Sequence, residues 1–180
     1  MHVNNCRYMM ASAAVAGGRR DDASALLDQC AAHASAVGND HELAHVTLTR
    51  ARLEPDRDDD PVHEAIAVFR ASGDLRCITR SYLLLADRHH HPEREHWLEQ
   101  ALAVALDADD RSHQATALQG LVAAHWNAGQ EERAAHALGA LAALVGDKGG
   151  HRDAPPDLLA KLPTWSTALA EGRARGYVID

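Results

Sequence analysis

The sequence predicts an all-α protein built from helical hairpins that repeat along the chain. Its 180 residues are 46% apolar but only 4% aromatic, so alanine and leucine, both strong helix formers, dominate the expected core. Apolar residues recur at helical spacing in successive segments. Similar turn signals close four of these segments at intervals of 35, 35 and 38 residues, a period typical of helical-repeat proteins. These signals begin at Gly38, Gly73, Ala108 and Gly146.

Each repeat is expected to be a hairpin of two antiparallel helices. The four hairpins cover residues 1–38, 39–73, 74–109 and 110–146. Their helices are predicted, in chain order, at 4–16, 21–37, 40–53, 61–72, 74–88, 92–106, 111–127 and 131–145. Gly18 and Gly129 form the turns between the two helices of the first and fourth hairpins, because glycine adopts turn conformations most readily. In the second hairpin, an acidic stretch separates the two helices. It is followed by Pro61, which suits the first position of a helix. Three histidines, residues 89–91, form the turn of the third.

The chain after the hairpins changes in composition. Residues 147–156 are rich in glycine and proline and are predicted to form a linker. Residues 157–180 are predicted to form a capping helix, which ends near Arg175 and has a break near Pro163. A stack of hairpins needs such a cap, because its last apolar face would otherwise meet water.

Charge and cysteine content exclude several functions. The formal net charge is −8, and no run of lysine or arginine is longer than Arg19-Arg20, so we expect no direct binding to nucleic acid or anionic membranes. The three cysteines lack the spacing of a metal site, and no signal peptide or long apolar span is present. We therefore expect a cytoplasmic protein without a cofactor.

Two hairpins carry small and large residues at the spacing of the tetratricopeptide repeat. In the fourth hairpin these residues are Leu118, Leu121, Gly129, Ala134, Leu138 and Leu141. In the first hairpin they are Gly18, Ala23, Leu27 and Cys30. The chain therefore resembles tetratricopeptide-repeat (TPR) proteins. The resemblance implies a right-handed superhelix of about four helix pairs with a C-terminal cap, in which the first helix of each pair lines a concave groove.

A second resemblance concerns the end of the chain. The sequence Glu132-Arg133-Ala134-Ala135, the Pro155-Pro156 linker and a final Ala-Glu-Gly-Arg-Ala segment at 170–174 follow one another in that order. This order resembles the C-terminal TPR region of bacterial signal-transduction ATPases, which are LuxR- and SARP-type transcriptional regulators. The resemblance implies a protein-interaction arm in a bacterial regulatory system. The chain has no G-x-x-x-x-G-K-[ST] loop for a nucleotide and no basic recognition helix.

The TPR resemblance also implies which residues face a partner. The positions that line the groove carry polar side chains and two aromatic ones, a composition suited to gripping a protein or peptide segment. These partner-binding residues are Tyr8, Ser12, Arg50, Arg80, Leu84, Gln119, Trp126 and Asn127. The main hypothesis is therefore a non-enzymatic interaction module, with homo-oligomerisation left open.

One motif supports a different hypothesis. Residues 41–45, with the sequence HELAH, fit H-E-x-x-H, in which His41 and His45 would bind zinc and Glu42 would act as the general base. Glu64 follows at the spacing of the third zinc ligand in gluzincin peptidases. Against this zinc metallohydrolase, 13 histidines and 26 acidic residues make a chance match easy, and His45 takes a packing position in its helix. We therefore assign no metal or catalytic residue. A small-molecule sensor, with its ligand between groove and cap, is a third hypothesis.

Overall fold

The computed structural model describes residues 2–55, 58–146, 149 and 152–179, and for residues 2–8 it describes the backbone alone. The described residues form ten α-helices and no β-strand, which confirms the all-α prediction. In chain order the helices are α1 (His2–Ala16), α2 (Arg20–Ala36), α3 (Asp40–Leu53), α4 (Asp60–Ser72), α5 (Leu75–Arg88), α6 (Glu93–Asp107), α7 (Arg111–Asn127), α8 (Glu131–Val145), α9 (Pro156–Lys161) and α10 (Ser166–Arg175). The first eight begin and end within two residues of their predicted bounds. The TPR-like superhelix stays a prediction.

The repeated turn signals share a residue with positive φ. Gly146 has a φ of 81° but an extended ψ of 156°. Gly38, Gly73 and Asp109 have φ angles of 65°, 71° and 49°, in the left-handed region. This conformation ends a helix and costs glycine no strain. The next residue in three of the four signals caps the following helix by accepting a hydrogen bond from the backbone N–H three residues on. These caps are Asn39, Asp74 and Asp110.

The C-terminal cap consists of two helices rather than one. α9 and α10 are separated by a turn that contains Pro163, close to the predicted break. α10 packs against α8 at very short range, since a Cβ on Gly172 would lie 1.9 Å from the carbonyl oxygen of His136. A Cβ on Gly139 would likewise lie 2.1 Å from the carbonyl oxygen of Leu169. Two glycines therefore allow the two backbones to touch.

The chain divides into two compact units, residues 1–81 and 82–180, and the boundary lies within α5. In the first unit, α2 packs against α1 and α3, α1 also contacts α3, and α4 packs against α3. Helix pairs that share faces in this way bury the apolar stripes that no single hairpin covers. One buried core cluster comprises Ala11, Leu27, Cys30 and Val46, with Leu26, Ala31 and Leu53 packed against it.

In the second unit, α7 packs against α6 and α8. α10 and part of α9 pack against α8. The core consists mainly of alanines and leucines, and the leucines are its largest common side chains. Those with at most 4% of their surface exposed are Leu85, Leu98, Leu102, Leu118, Leu121, Leu138, Leu141 and Leu158. Among the described residues, no helix is long and apolar enough to span a lipid bilayer.

Candidate functional site

Two histidines of α3 and an aspartate before α5 form a cluster in the first unit. His41 and His45 are one helical turn apart, and the centroids of their rings are 4.8 Å from each other. Oδ2 of Asp74 lies 3.1 Å from Nε2 of His41. One ligand atom from each of the three side chains lies within 4.8 Å of the other two. In the part of the chain that the structure describes, this is the single group of His, Cys, Asp or Glu side chains that meets the geometry of a metal site.

The orientation of Asp74 follows from its place as the N-cap of α5. Its Oδ1 accepts the backbone N–H of Cys77 at 3.0 Å, which satisfies one of the unpaired donors at the helix start and leaves Oδ2 beside His41. Burial acts to raise the pKa of Asp74, but hydrogen bonds from Cys77 and His41 outweigh it and hold the pKa below its usual value. Asp74 is therefore an anionic carboxylate at neutral pH.

Cys77 extends this cluster by one more donor atom. Its Sγ lies 3.8 Å from Nε2 of His45. Burial and the hydrogen bond to Asp74 raise the pKa of the thiol to about 11, so it carries its proton at neutral pH. Burial, followed by repulsion from the charges of His41 and Arg80, lowers the pKa of His45. The His45 ring is therefore neutral at pH 7, the form in which imidazole binds metals.

Phe69 forms an apolar wall on this cluster. Its fully buried ring lies 5.3 Å from His41 and 5.1 Å from His45, between ring centroids. The side chains of His41 and Asp74 remain 40% and 28% exposed. The cluster is thus half-buried, with a route from solvent to its polar atoms.

The ligand set of the zinc-peptidase hypothesis does not assemble. Glu64, its third ligand, lies exposed on α4 and is not part of the cluster, where Asp74 stands instead. Glu42, its general base, lies at the start of α3, where its Oε2 is 3.4 Å from Nδ2 of Asn39. Its backbone N–H donates to Oδ1 of Asn39 at 3.0 Å. The Glu42 side chain thus contacts the residue that caps α3.

A second polar cluster lies in the second unit. Arg133 of α8 donates to Oε1 of Glu95 at 2.5 Å and to Oε1 of Glu99 at 3.3 Å, so it bridges two carboxylates of α6. His125 of α7 is fully buried, and its Nε2 lies 2.7 Å from the hydroxyl of Tyr177. Its Nδ1 lies 2.8 Å from Oε1 of Gln130 and can donate to it. A buried network therefore joins α6, α7, α8 and the residues after α10.

Burial and neighbouring charges together set the charge states in this second cluster. It lowers the pKa of His125, although the hydrogen bond to Gln130 and the negative charge of Glu95 act in the opposite direction. Burial acts to lower the pKa of Arg133. The interactions with Tyr177, Glu95 and Glu99 outweigh burial, so the pKa of Arg133 lies above its usual value. Arg133 is therefore a permanent cation in contact with two carboxylates, and His125 is a neutral ring beside them.

Three of the eight predicted partner-binding residues contact side chains elsewhere in the chain, and a fourth is buried. Arg50 is ion-paired with Asp28, and Leu84 is buried, with 8% of its surface exposed. Nε2 of Gln119 lies 3.3 Å from Oδ2 of Asp153, and Nζ of Lys161 lies 5.4 Å from the centre of the Trp126 ring. Ser12 and Arg80 are half-buried, Asn127 is exposed, and the side chain of Tyr8 lies outside the described residues. Segments of the C-terminal region therefore cover part of the α7 face that was expected to meet a partner.

An open groove of about 340 Å³ lies elsewhere in the second unit, against the residues that follow α10. Its floor is apolar, and two arginines and a tyrosine stand at its edge. The residues that line it include Leu102, Leu106, Leu118, Leu144, Arg111 and Arg175. Leu106 exposes 52% of its surface. The sequence did not indicate this groove, because its wall depends on where the C-terminal residues return.

The comparisons with known proteins add no relative to this picture. No protein-family model, curated protein or solved structure gave a significant match to the chain. The relation to TPR proteins and to bacterial regulators therefore rests on the sequence resemblance alone.

Proposed function

We propose that the chain is a non-enzymatic interaction module that binds a segment of a partner protein in the apolar groove of its second unit. The observation that carries this proposal is the combination of a leucine-lined floor with cationic edges, in a chain whose net charge is −8. Following the sequence resemblance, we place the module in a bacterial regulatory system linked to transcription, in the cytoplasm.

The chemistry of the groove defines the partner segment. A volume of about 340 Å³ is at the lower end for ligand sites and accommodates one or two large apolar side chains. Arg175 is exposed, and Arg111 donates to the carbonyl oxygen of Leu144 at 2.6 Å while its side chain stays at the surface. An apolar residue flanked by a carboxylate therefore complements both the floor and the edge.

Two variants test this proposal without disturbing the core. Peptides would be selected from a displayed random library on the full-length protein, and their affinity measured by fluorescence polarisation. Leu106→Glu places a carboxylate at the groove, and Arg175→Glu reverses an edge charge. Each is expected to weaken binding at least tenfold, which corresponds to about 1.4 kcal/mol.

The matched controls carry the same chemical changes outside the groove. Val37→Glu is in the first unit and Arg152→Glu is outside the lining residues, and both side chains are exposed, so binding should be unchanged. Selected peptides that bind all four variants equally would contradict the proposal. A library that yields no binder, while small amphiphilic anions bind and are lost in Leu106→Glu, would favour the small-molecule sensor instead. A zinc hydrolase is not proposed, because Glu64 lies outside the histidine cluster.

A further inference from the structure

We propose that the first unit holds a zinc-class metal site formed by His41, His45, Asp74 and Cys77, which joins α3 to the start of α5. This site is separate from the peptide groove and from the peptidase ligand set that the HELAH motif suggested. The four donors are two imidazoles, a carboxylate and a thiol, a set that suits zinc and its borderline neighbours and disfavours calcium and magnesium.

The spacing of the four residues is that of paired metal ligands. His41 and His45 are separated by three residues on α3, and Asp74 and Cys77 by two residues at the start of α5. Each pair occupies one turn of one helix, so each helix presents two donors on one face. Structural zinc sites use the same arrangement, with two ligands from each of two short segments.

The distances between donor atoms approach those of a tetrahedral site. Zinc binds nitrogen and oxygen at about 2.0–2.2 Å and sulfur at about 2.3 Å, which places neighbouring N and O ligands about 3.3 Å apart and N and S ligands about 3.6 Å apart. Nε2 of His41 and Oδ2 of Asp74 are 3.1 Å apart. Nε2 of His45 and Sγ of Cys77 are 3.8 Å apart. The donor atoms of His41, His45 and Asp74 all lie within 4.8 Å of one another, so these three form the centre of the site. Cys77 Sγ lies outside that set and is the fourth donor, which would reach the ion from beside His45 by rotation of its side chain.

The surroundings of the cluster support a metal site. The N-cap bond from the Cys77 backbone fixes Asp74, as an outer hydrogen bond typically orients a metal ligand. Phe69 closes one side with an apolar ring. Metal binding would replace the hydrogen bond between His41 and Asp74 and displace the proton of the Cys77 thiol to solvent, so that the thiolate binds the ion.

The test is a zinc titration of the untagged full chain under reducing conditions, in competition with a chromophoric zinc indicator. One zinc per chain is expected. His41→Ala and Asp74→Asn should each lower the affinity about 100-fold or more. Asp74→Asn is the sharper variant, because asparagine keeps the N-cap acceptor while it removes the charged ligand. Far-UV circular dichroism would check that each variant is folded.

Two controls separate this site from other histidines. His33→Ala, on the exposed face of α2, and replacement of residues 89–91 by alanine should leave the zinc affinity unchanged. The Co²⁺-substituted protein should show tetrahedral d–d bands and a thiolate-to-cobalt charge-transfer band that is absent in Cys77→Ser. Failure to bind one equivalent of zinc, loss of zinc only when residues 89–91 are changed, or absence of the charge-transfer band in the unaltered chain would overturn the proposal.

Discussion

The two polar clusters of this protein use the same kinds of side chain in opposite ways. In the second unit, the carboxylates of Glu95 and Glu99 are each 12% exposed and both contact Arg133, a permanent cation. In the first unit, Asp74 pairs with a half-exposed imidazole and a helix-terminal N–H. A carboxylate already neutralised by arginine inside the protein has little to gain from a metal ion, whereas Asp74 can exchange its hydrogen bond with the His41 imidazole for a metal bond.

The comparison teaches that residue type alone does not separate a structural cluster from a candidate binding site. Both clusters contain histidines next to acidic residues, and Oε2 of Glu95 even lies 3.4 Å from His91 and 3.5 Å from His125. What differs is the counter-ion and the covering element. The residues after α10 place Tyr177 against His125, which closes the second cluster.

The largest loss of stability is expected when α10 is displaced from α8. In Gly172→Val the new side chain would collide with the backbone of α8, so α10 and Tyr177 would move away. We expect a loss of about 3 kcal/mol or more in the free energy of unfolding. Urea unfolding followed by tryptophan fluorescence places the probes in this unit, because all three tryptophans lie after residue 81.

The control for that prediction is Ala170→Val, which introduces the same side chain at an exposed position of α10. It should lower the unfolding free energy by only about 0.5 kcal/mol, the difference in helix propensity. Equal losses in the two variants would mean that α10 does not depend on the close contact at Gly172.

The next largest effect is expected from removing the buried cation. Arg133→Met keeps much of the side-chain volume but leaves Glu95 and Glu99 without their counter-ion. Breaking a fully buried pair costs about 3–5 kcal/mol, and because Arg133 is 35% exposed we expect about 2 kcal/mol. In a double-mutant cycle, adding Glu95→Gln should recover part of the loss, as measured by urea unfolding. A double variant less stable than Arg133→Met would show that the unpaired charge of Glu95 is not what destabilises that variant.

A smaller effect is expected from pH. The pKa of His125 lies below the unfolded value of 6.5, so the unfolded chain binds more protons and the stability that this residue contributes is full above pH 6.5. It is lost as the pH falls from 6.5 through the folded pKa. Glu95, Arg133, His91, Gln130 and Tyr177 surround the ring, and attraction to Glu95 keeps the effect below that of Arg133→Met.

The measurement for that prediction is the urea midpoint of tryptophan fluorescence from pH 7.5 down to about pH 5, a range that spans the titration of histidine. The midpoint of the unaltered chain should fall more steeply than that of His125→Gln, whose side chain does not titrate. His90→Gln, in an exposed loop, is the matched control and should follow the unaltered chain. Parallel curves for all three proteins would exclude His125 as the source of the pH dependence.

The fold was predictable because its signals are local. Apolar spacing and turn residues predicted the eight hairpin helices, and Asp109 shows that the repeat depends on a left-handed residue rather than on glycine itself. The superhelix was only implied by the resemblance. How successive hairpins stack depends on side-chain packing between distant residues, which Ala- and Leu-rich repeats specify weakly.

The sites were predictable only in part. His41 and His45 share one helical turn, so their pairing is visible in the sequence. Asp74, the third member of the cluster, is not visible as their partner in the sequence. It is 33 residues from His41 and reaches it only when α4 folds back along α3. The spacing of zinc ligands in gluzincin peptidases indicated Glu64 as the third ligand instead. Glu95 and Arg133 are 38 residues apart, and Tyr177 is 44 residues from Arg133, so no local pattern connects them.

The smallest effect is expected in the first cluster. Asp74→Asn, measured with a chelator present, should change the unfolding free energy by no more than about 0.5 kcal/mol, because a partly exposed ion pair contributes little and asparagine retains the cap. Asp74→Ala removes the cap as well and should cost about 1 kcal/mol. The unfolding must be followed by far-UV circular dichroism, which reads the helices of the whole chain, since the first unit contains no tryptophan. If Asp74→Asn destabilised the chain as much as Arg133→Met, Asp74 would be a structural anion like Glu95, and the contrast between a closed cluster and an open one would fail.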